Sequence, residues 1–211
     1  MSVAEALGRR ARGDLEIDPW GCDAGAQDLV DAVLRQVIRV SVSGGDHVPK
    51  KGAALVVANR RFGVLEPVAV GRAVRQVAGR RMRFTGLVDV APFGTPLRRL
   101  GTVVNRPAEV ASLLRSGHLV GLPLAMQLNS RLRAGNLGPE DVGPALEVGA
   151  PILPVAVIGG EVTGRWAVHI GPPVPPPRSR GPLALADAAD ATQQAIQALL
   201  DEAFPPRWPW S

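Results

Sequence analysis

The chain has 211 residues, of which 46% are hydrophobic and 20% charged, and its formal net charge is +5. Those values describe a globular protein with room for one α/β domain and a substantial core, and no apolar run reaches the length a membrane-spanning helix needs. A single cysteine, Cys22, excludes an internal disulfide framework and gives no metal cluster; it is expected as a small buried or half-buried apolar residue.

Residues 1 to 22 read as an irregular segment punctuated by Pro19 and Gly21, without the long apolar core of a secretory signal, so a cytoplasmic location is expected. From Asp23 the pattern turns helical. Val30, Val33, Leu34 and Val37 recur at helical spacing, and Asp28, Asp31, Arg35 and Arg39 fill the opposite side. The run IRVSVS alternates like a strand, and after the turn GGDHVPKKG the stretch from Ala53 to Ala58 is continuously apolar, which marks a strand covered on both faces. Pro67 suits a first helical turn, and Val68, Val70, Ala73, Val74 and Val77 supply an apolar face up to Gly79.

MRFTGLVDV is the next strand, APFGTPLRRLG a turn-rich connection, TVVN a short strand and PAEVASLLRSG a helix. HLVGLPL is a buried strand followed by the loop AMQLNSRLRAGNLG, and PEDVGPALEV a helix broken at Gly143 and Pro144. APILPVAVIGG and WAVHIG are strands, GPPVPPP ends the sheet, and a helix runs from Ala188 to Phe204. The expected fold is a single α/β domain over residues 23–204, a mostly parallel mixed sheet with helices on both faces, followed by a Pro/Trp tail at 205–211. In such sheets ligands gather beyond the carboxyl ends of the strands, so the loops after Asn59, Asn105 and Leu124 are the places to look for chemistry.

The order of GGDHVPKKGAALVVAN, MRFTGLVDVAPFGTPLRRLGTVVNR, LLRSGHLVGLP and GAPILPVAV resembles the phospholipid/glycerol acyltransferase family over about residues 20 to 173. Members of that family acylate glycerol-3-phosphate, lysophosphatidate or related lysolipids. They carry Asn-His and, after four intervening residues, Asp: the histidine takes a proton from the acceptor hydroxyl and the carboxylate orients the ring. Here Asn59 is kept, but the histidine position is Arg60, the aspartate position is Leu65, and Glu66 is one residue beyond. An arginine is not deprotonated in proteins and cannot act as a base. None of His47, His118 and His169 is placed to substitute, since the first lies in a turn, the second at the starting end of a strand and the third inside one.

The resemblance implies a phosphate-binding role for Arg106, which ends LGTVVNR, and the neighbouring Asn59, Arg60 and Arg61 add to an anion-attracting mouth. The family's third motif, Phe-Pro-Glu-Gly-Thr-Arg, is reduced to Leu122-Pro123-Leu124-Ala125-Met126-Gln127, in which only the proline survives. Pro123, Leu124 and Met126, with Pro154 of the fourth motif, are expected to line the pocket. Residues supporting the fold are retained while the base, its acid and the Pro-Glu-Gly loop are replaced together. The expected function is therefore a non-catalytic or strongly impaired homologue that binds an acyl or phospholipid-type ligand.

The alternative is an active acyltransferase with altered machinery, with Glu66 as base or a substrate group assisting, and acyl-CoA or an acyl-carrier thioester as donor to a lysolipid or other hydroxyl acceptor; no resident cofactor is expected. Ten arginines between residues 60 and 106 against Glu66 and Asp89 give that segment +8, which suits an anionic lipid or phosphorylated lipid-like partner, or is simply a solvated face. With Trp208 and Trp210 in the tail, it also suggests peripheral contact with the inner face of the membrane. Nucleic acid, a third reading, is not the expected partner: the arginines fall on separate elements, and only Phe62, Phe84 and Phe93 are there for base stacking.

Overall fold

The computed structural model describes Gly8 and residues 17–60, 65–86, 94–124, 133–160, 162–179 and 181–203. In chain order the elements are α1 (Ala24–Val37), β1 (Arg39–Ser43), a 3-10 turn (Gly45–His47), β2 (Ala54–Ala58), α2 (Glu66–Ala78), β3 (Met82–Thr85) and α3 (Gly94–Arg99). They continue with β4 (Thr102–Val103), α4 (Pro107–Arg115), β5 (Leu119–Pro123), α5 (Pro139–Val148), β6 (Ile152–Gly160), β7 (Arg165–Ile170) and α6 (Pro182–Ala203). The strands form one sheet in the order β1-β7-β6-β2-β5-β3-β4. Every neighbouring pair is parallel except the hairpin β6–β7.

The continuous apolar run of β2 follows from its central position. Ala54, Val56 and Ala58 point into the layer built on α2, whereas Leu55 and Val57 point into the layer built on α4, α5 and α6. Helices thus cover both faces, as the sequence predicts. α2 begins with Glu66 and Pro67 in its first turn and ends on Gly79, whose φ of +66° only glycine adopts without strain and whose N–H closes on the Arg75 carbonyl at 3.0 Å. No described helix is long and apolar enough to cross a membrane.

Three local expectations change. The segment taken as turn-rich contains α3, and its Pro96 falls in the first turn, where no intrahelical N–H is needed. α5 is continuous through Pro144: a proline in the sixth position of a ten-residue helix removes one hydrogen bond, and its flanking Val142 and Ala145 are fully buried. α6 starts at Pro182 rather than Ala188, since a proline at the first helical position is compatible with the helix.

The end of β2 is fixed by a side chain that imitates backbone. β6 continues beyond the point where β2 stops, and the groups of Val157 facing that gap meet the Asn59 amide. Asn59 Oδ1 accepts from Val157 N–H at 2.6 Å, and Nδ2 donates to the Val157 carbonyl at 3.0 Å. Asn59 is 3% exposed, so neither bond is replaced by water if the amide is lost.

α1 docks by its charged side. Asp28 accepts from Arg75 at 2.5 Å and from Arg81 at 2.8 and 3.1 Å, and Asp31 accepts from Arg72 at 3.2 Å. Gln27 adds a bond to the Leu100 carbonyl at 2.9 Å. Leu34 is half-buried, but Val30, Val33 and Val37 are 36%, 52% and 62% exposed, the reverse of a core-facing amphipathic helix. Burial alone would raise the Asp28 pKa, but hydrogen bonds from Arg81 and Arg75, and their charges, hold it below the usual carboxylate value.

Two outcomes follow from these contacts. Asn59→Ala leaves both Val157 groups buried and unpaired and should cost about 2 to 4 kcal/mol in urea unfolding. The depressed Asp28 pKa contributes stability that is present above the unfolded carboxylate pKa of about 4 and is lost as the pH falls through the folded value. The urea midpoint of Asp28→Asn should lie below wild type at pH 7, and the gap should narrow in acid.

Candidate functional site

Arg60 leaves the carboxyl end of β2 directly after the Asn59 clamp. Its side chain is half-buried, and its Nε is buried with no hydrogen-bond partner among the described residues. Glu66 is 4% exposed at the first position of α2, where the positive end of the helix dipole favours a carboxylate. Arg60 and Glu66 both line a crevice of about 20 Å³ walled by Val56, Val70, Met82 and Pro123. That is room for about one water. Leu65 precedes α2 with no side-chain cap and packs into the adjoining core.

Beyond the crevice lies a groove of about 200 Å³ that shares Arg60, Pro67, Met82, Phe84 and Pro123 with it. Val30 and Leu34 of α1, Val68 of α2, Leu97 of α3 and Leu100 form much of its apolar lining. Phe84 is seated by two glycines: a Cβ on Gly71 would stand 2.7 Å from Phe84 Cζ, and one on Gly121 would stand 3.2 Å from Phe84 Cδ1. Glycine in a helix and in a strand normally costs stability; here Phe84 fills the space beside Gly71, and Phe84 together with Met82, whose Cε would be 2.9 Å from a Cβ, fills that beside Gly121.

Arginines also line this groove, but they are largely committed. Arg72, Arg75 and Arg81 answer the acids of α1, while Arg80 donates to the carbonyls of Pro49 at 3.0 Å and Gly117 at 2.6 Å. Burial lowers the pKa of Arg72 and Arg80, with the Asp31 charge acting against it at Arg72, yet a guanidinium stays cationic at neutral pH. Arg83 pairs with Asp18, and Arg98 stands 4.0 Å from Glu109. Six of the ten arginines that make residues 60 to 106 so basic are thus answered within the fold.

Several expected site residues are engaged by the fold or lie elsewhere. Asn59 lines the crevice, but its amide is engaged by Val157 through one donated and one accepted hydrogen bond, so its role in the fold is to clamp β2 to β6. Arg106 is exposed at the N-cap of α4, and the β4 end it follows is three strand spacings, roughly 14 Å, from the β2 end. It lines neither the crevice nor the groove. Leu124 packs with α4, α5 and α6 on the far face, and Pro154 shares that face because it has the strand parity of Ile152 and Ala156. The Pro154 carbonyl accepts from Gly171 N–H at 2.9 Å, and its ring packs beside that glycine. Pro123 alone of the four predicted pocket-lining residues is seen at the site. Arg61, Met126 and the tail tryptophans Trp208 and Trp210 lie outside the described residues.

No histidine lines the crevice or the groove among the described residues. His47 Nδ1 donates to the Ile170 carbonyl at 3.0 Å, His169 Nδ1 is 2.8 Å from Ser43 Oγ, and His118 packs edge-on against Trp20 with ring centroids 5.2 Å apart. Burial and the Arg83 charge keep His118 below its ordinary pKa. Cys22 is buried, and burial raises its thiol pKa, so it stays protonated and poorly nucleophilic. Motif reading missed Val30, Leu34, Val68, Met82 and Phe84 as site residues. Gly71 and Gly121, the glycines inside a helix and a strand, were the signal that something bulky sits there.

Among the described residues, the arrangement places Arg60 where the crevice meets an apolar groove, with the buried Glu66 lining the same crevice. It suits an amphiphile with an anionic end and a hydrocarbon body.

No family model matches the sequence. An uncharacterized protein of Mycobacterium tuberculosis is 31% identical over 178 residues, covering 76% of this chain and 50% of its own length. One from Mycobacterium leprae is 28% identical over 181 residues, covering 76% of this chain and 48% of that protein. The chain therefore spans about half the length of the curated relatives it matches. Among solved structures, the 1-acyl-sn-glycerophosphate (LPA) acyltransferase PlsC from Thermotoga maritima superimposes with a TM-score of 0.62 at 16% identity, over 97% of this chain and 89% of that one. The single α/β domain, with its mostly parallel seven-stranded sheet, has the fold of that acyltransferase.

Proposed function

We infer that this chain is an acyltransferase-fold protein that binds an anionic, acyl-bearing ligand of the lysophospholipid class and does not carry out ordinary acyl transfer. The observation that carries the reading is Arg60: a group that binds anions but cannot accept a proton stands where the crevice joins the apolar groove. Loss of general-base assistance lowers an acyl-transfer rate by about 10² to 10⁴. The apolar groove supports binding of a hydrocarbon chain. The commitment of Arg72, Arg75, Arg80 and Arg81 to internal partners counts against a continuous nucleic-acid surface.

A second reading has one specific observation in its favour. Glu66 is a buried carboxylate lining the same crevice as Arg60, so it stands where an accepting base would need to be. The two readings separate in one assay of purified protein with lysophosphatidate and labelled acyl-CoA. We expect product formation at the uncatalysed rate, unchanged by Glu66→Gln. Turnover that Glu66→Gln abolishes would sink the non-catalytic reading and assign the base.

A further inference from the structure

We propose that the outward stripe of α1, with the β6–β7 turn beside it, is a docking surface for an anionic lipid membrane, and that it sets the groove mouth against the bilayer. The starting observation is the reversal of α1. Both of its acids, Asp28 and Asp31, are turned inward to Arg72, Arg75 and Arg81. Val30, Val33 and Val37 are left at the surface, at helical spacings of three and four residues.

The stripe continues onto a second element. Arg39 N–H donates to the Gly164 carbonyl at 2.8 Å, and a Cβ on Gly164 would collide with the Val37 carbonyl, so the turn after β6 abuts the end of α1. Val162, in that turn, is fully exposed. A fourth exposed valine therefore stands in the turn that meets the end of α1.

Charge selects the occupant. With the acids withdrawn, the exposed charged residues of 24–39 are Arg35 and Arg39, and Arg35 reaches Asp31 only at 3.6 Å. An apolar stripe flanked by cations is the pattern of a helix lying in the interface of an anionic bilayer, with its valines in the headgroup boundary and its arginines at the phosphates. Continuity with the groove gives the surface a purpose: Val30 belongs to the exposed stripe and also lines the groove next to Leu34. A lipid chain leaving the bilayer at α1 enters the groove without crossing water.

The inference deepens the lipid-binding reading but does not stand or fall with it, so the two are measured separately. Vesicle co-sedimentation uses phosphatidylcholine with and without phosphatidylglycerol, and solution binding uses lysophosphatidate below its micellar concentration. Wild type should sediment with the anionic vesicles. The double variant Val33→Gln/Val37→Gln should lose about tenfold in partitioning. Glutamine is the better helix former at exposed positions, so its urea midpoint should not fall. Arg35→Gln/Arg39→Gln should remove the preference for phosphatidylglycerol.

Lysophosphatidate binding in solution should stay within about twofold in both variants, because neither changes a described groove residue. Wild type left in the supernatant with anionic vesicles, or a valine variant that sediments like wild type, overturns the proposal. So does a wild-type dimer that Val33→Gln/Val37→Gln splits, which would make the stripe a self-association face. Vesicle binding without lysophosphatidate binding would leave the surface standing and remove the ligand reading.

Discussion

The site depends on a clamp between two strands. Asn59 ends β2 by offering Val157 of β6 the donor and acceptor that a further strand residue would have supplied. Chain that leaves a sheet is normally free to turn away at once. Here it is held against β6 for one more residue, so Arg60 emerges over the crevice with a buried Nε, and the chain returns as Leu65 and Glu66 at the start of α2. An asparagine at this point reads as a ligand-binding group, yet its amide both donates to and accepts from the Val157 backbone. The clamp gives Asn59 a structural role at the end of β2.

A second constraint is the pairing of α1 with α2. Asp28 and Asp31 draw Arg72, Arg75 and Arg81 into the gap between the helices, and the same contacts turn the valines of α1 outward. Partly buried ion pairs of this kind give orientation more than net stability, since desolvation offsets much of the attraction. Their effect here is geometric. They spend the basic segment on internal contacts, leave an apolar groove between α1, α2 and β3, and expose a stripe with no described acid on it. The concentration of arginine that first suggests a broad anionic partner resolves largely into an internal network, with a few cations, Arg60 among them, that meet no acid among the described residues.

What was legible in the sequence was local. The apolar run of β2, the proline start and glycine stop of α2, and the alternation of strands with helices gave a parallel α/β sheet because each signal lies within a few residues of its consequence. The facing of α1 was not legible. Periodicity separates its valines from its aspartates but does not say which side is inside, and that was decided by arginines 41 to 53 residues away. Pro154 and Leu124 were placed at the pocket by motif position, whereas strand parity puts both on the far face. The groove was missed because its walls come from α1, α2, α3 and β3, none of which carries a motif of its own.

The proposed ligand, an acyl-bearing anion, is held by Arg60 and the apolar groove. Calorimetric titration of lysophosphatidate, below its micellar concentration, into wild type, Arg60→Leu and Val68→Glu tests it most directly. Wild type should bind saturably, about tenfold more weakly when Arg60 loses its charge, and more weakly still when a carboxylate is set in the groove wall at Val68. Equal affinity across all three proteins, or no saturable binding by wild type, would contradict it.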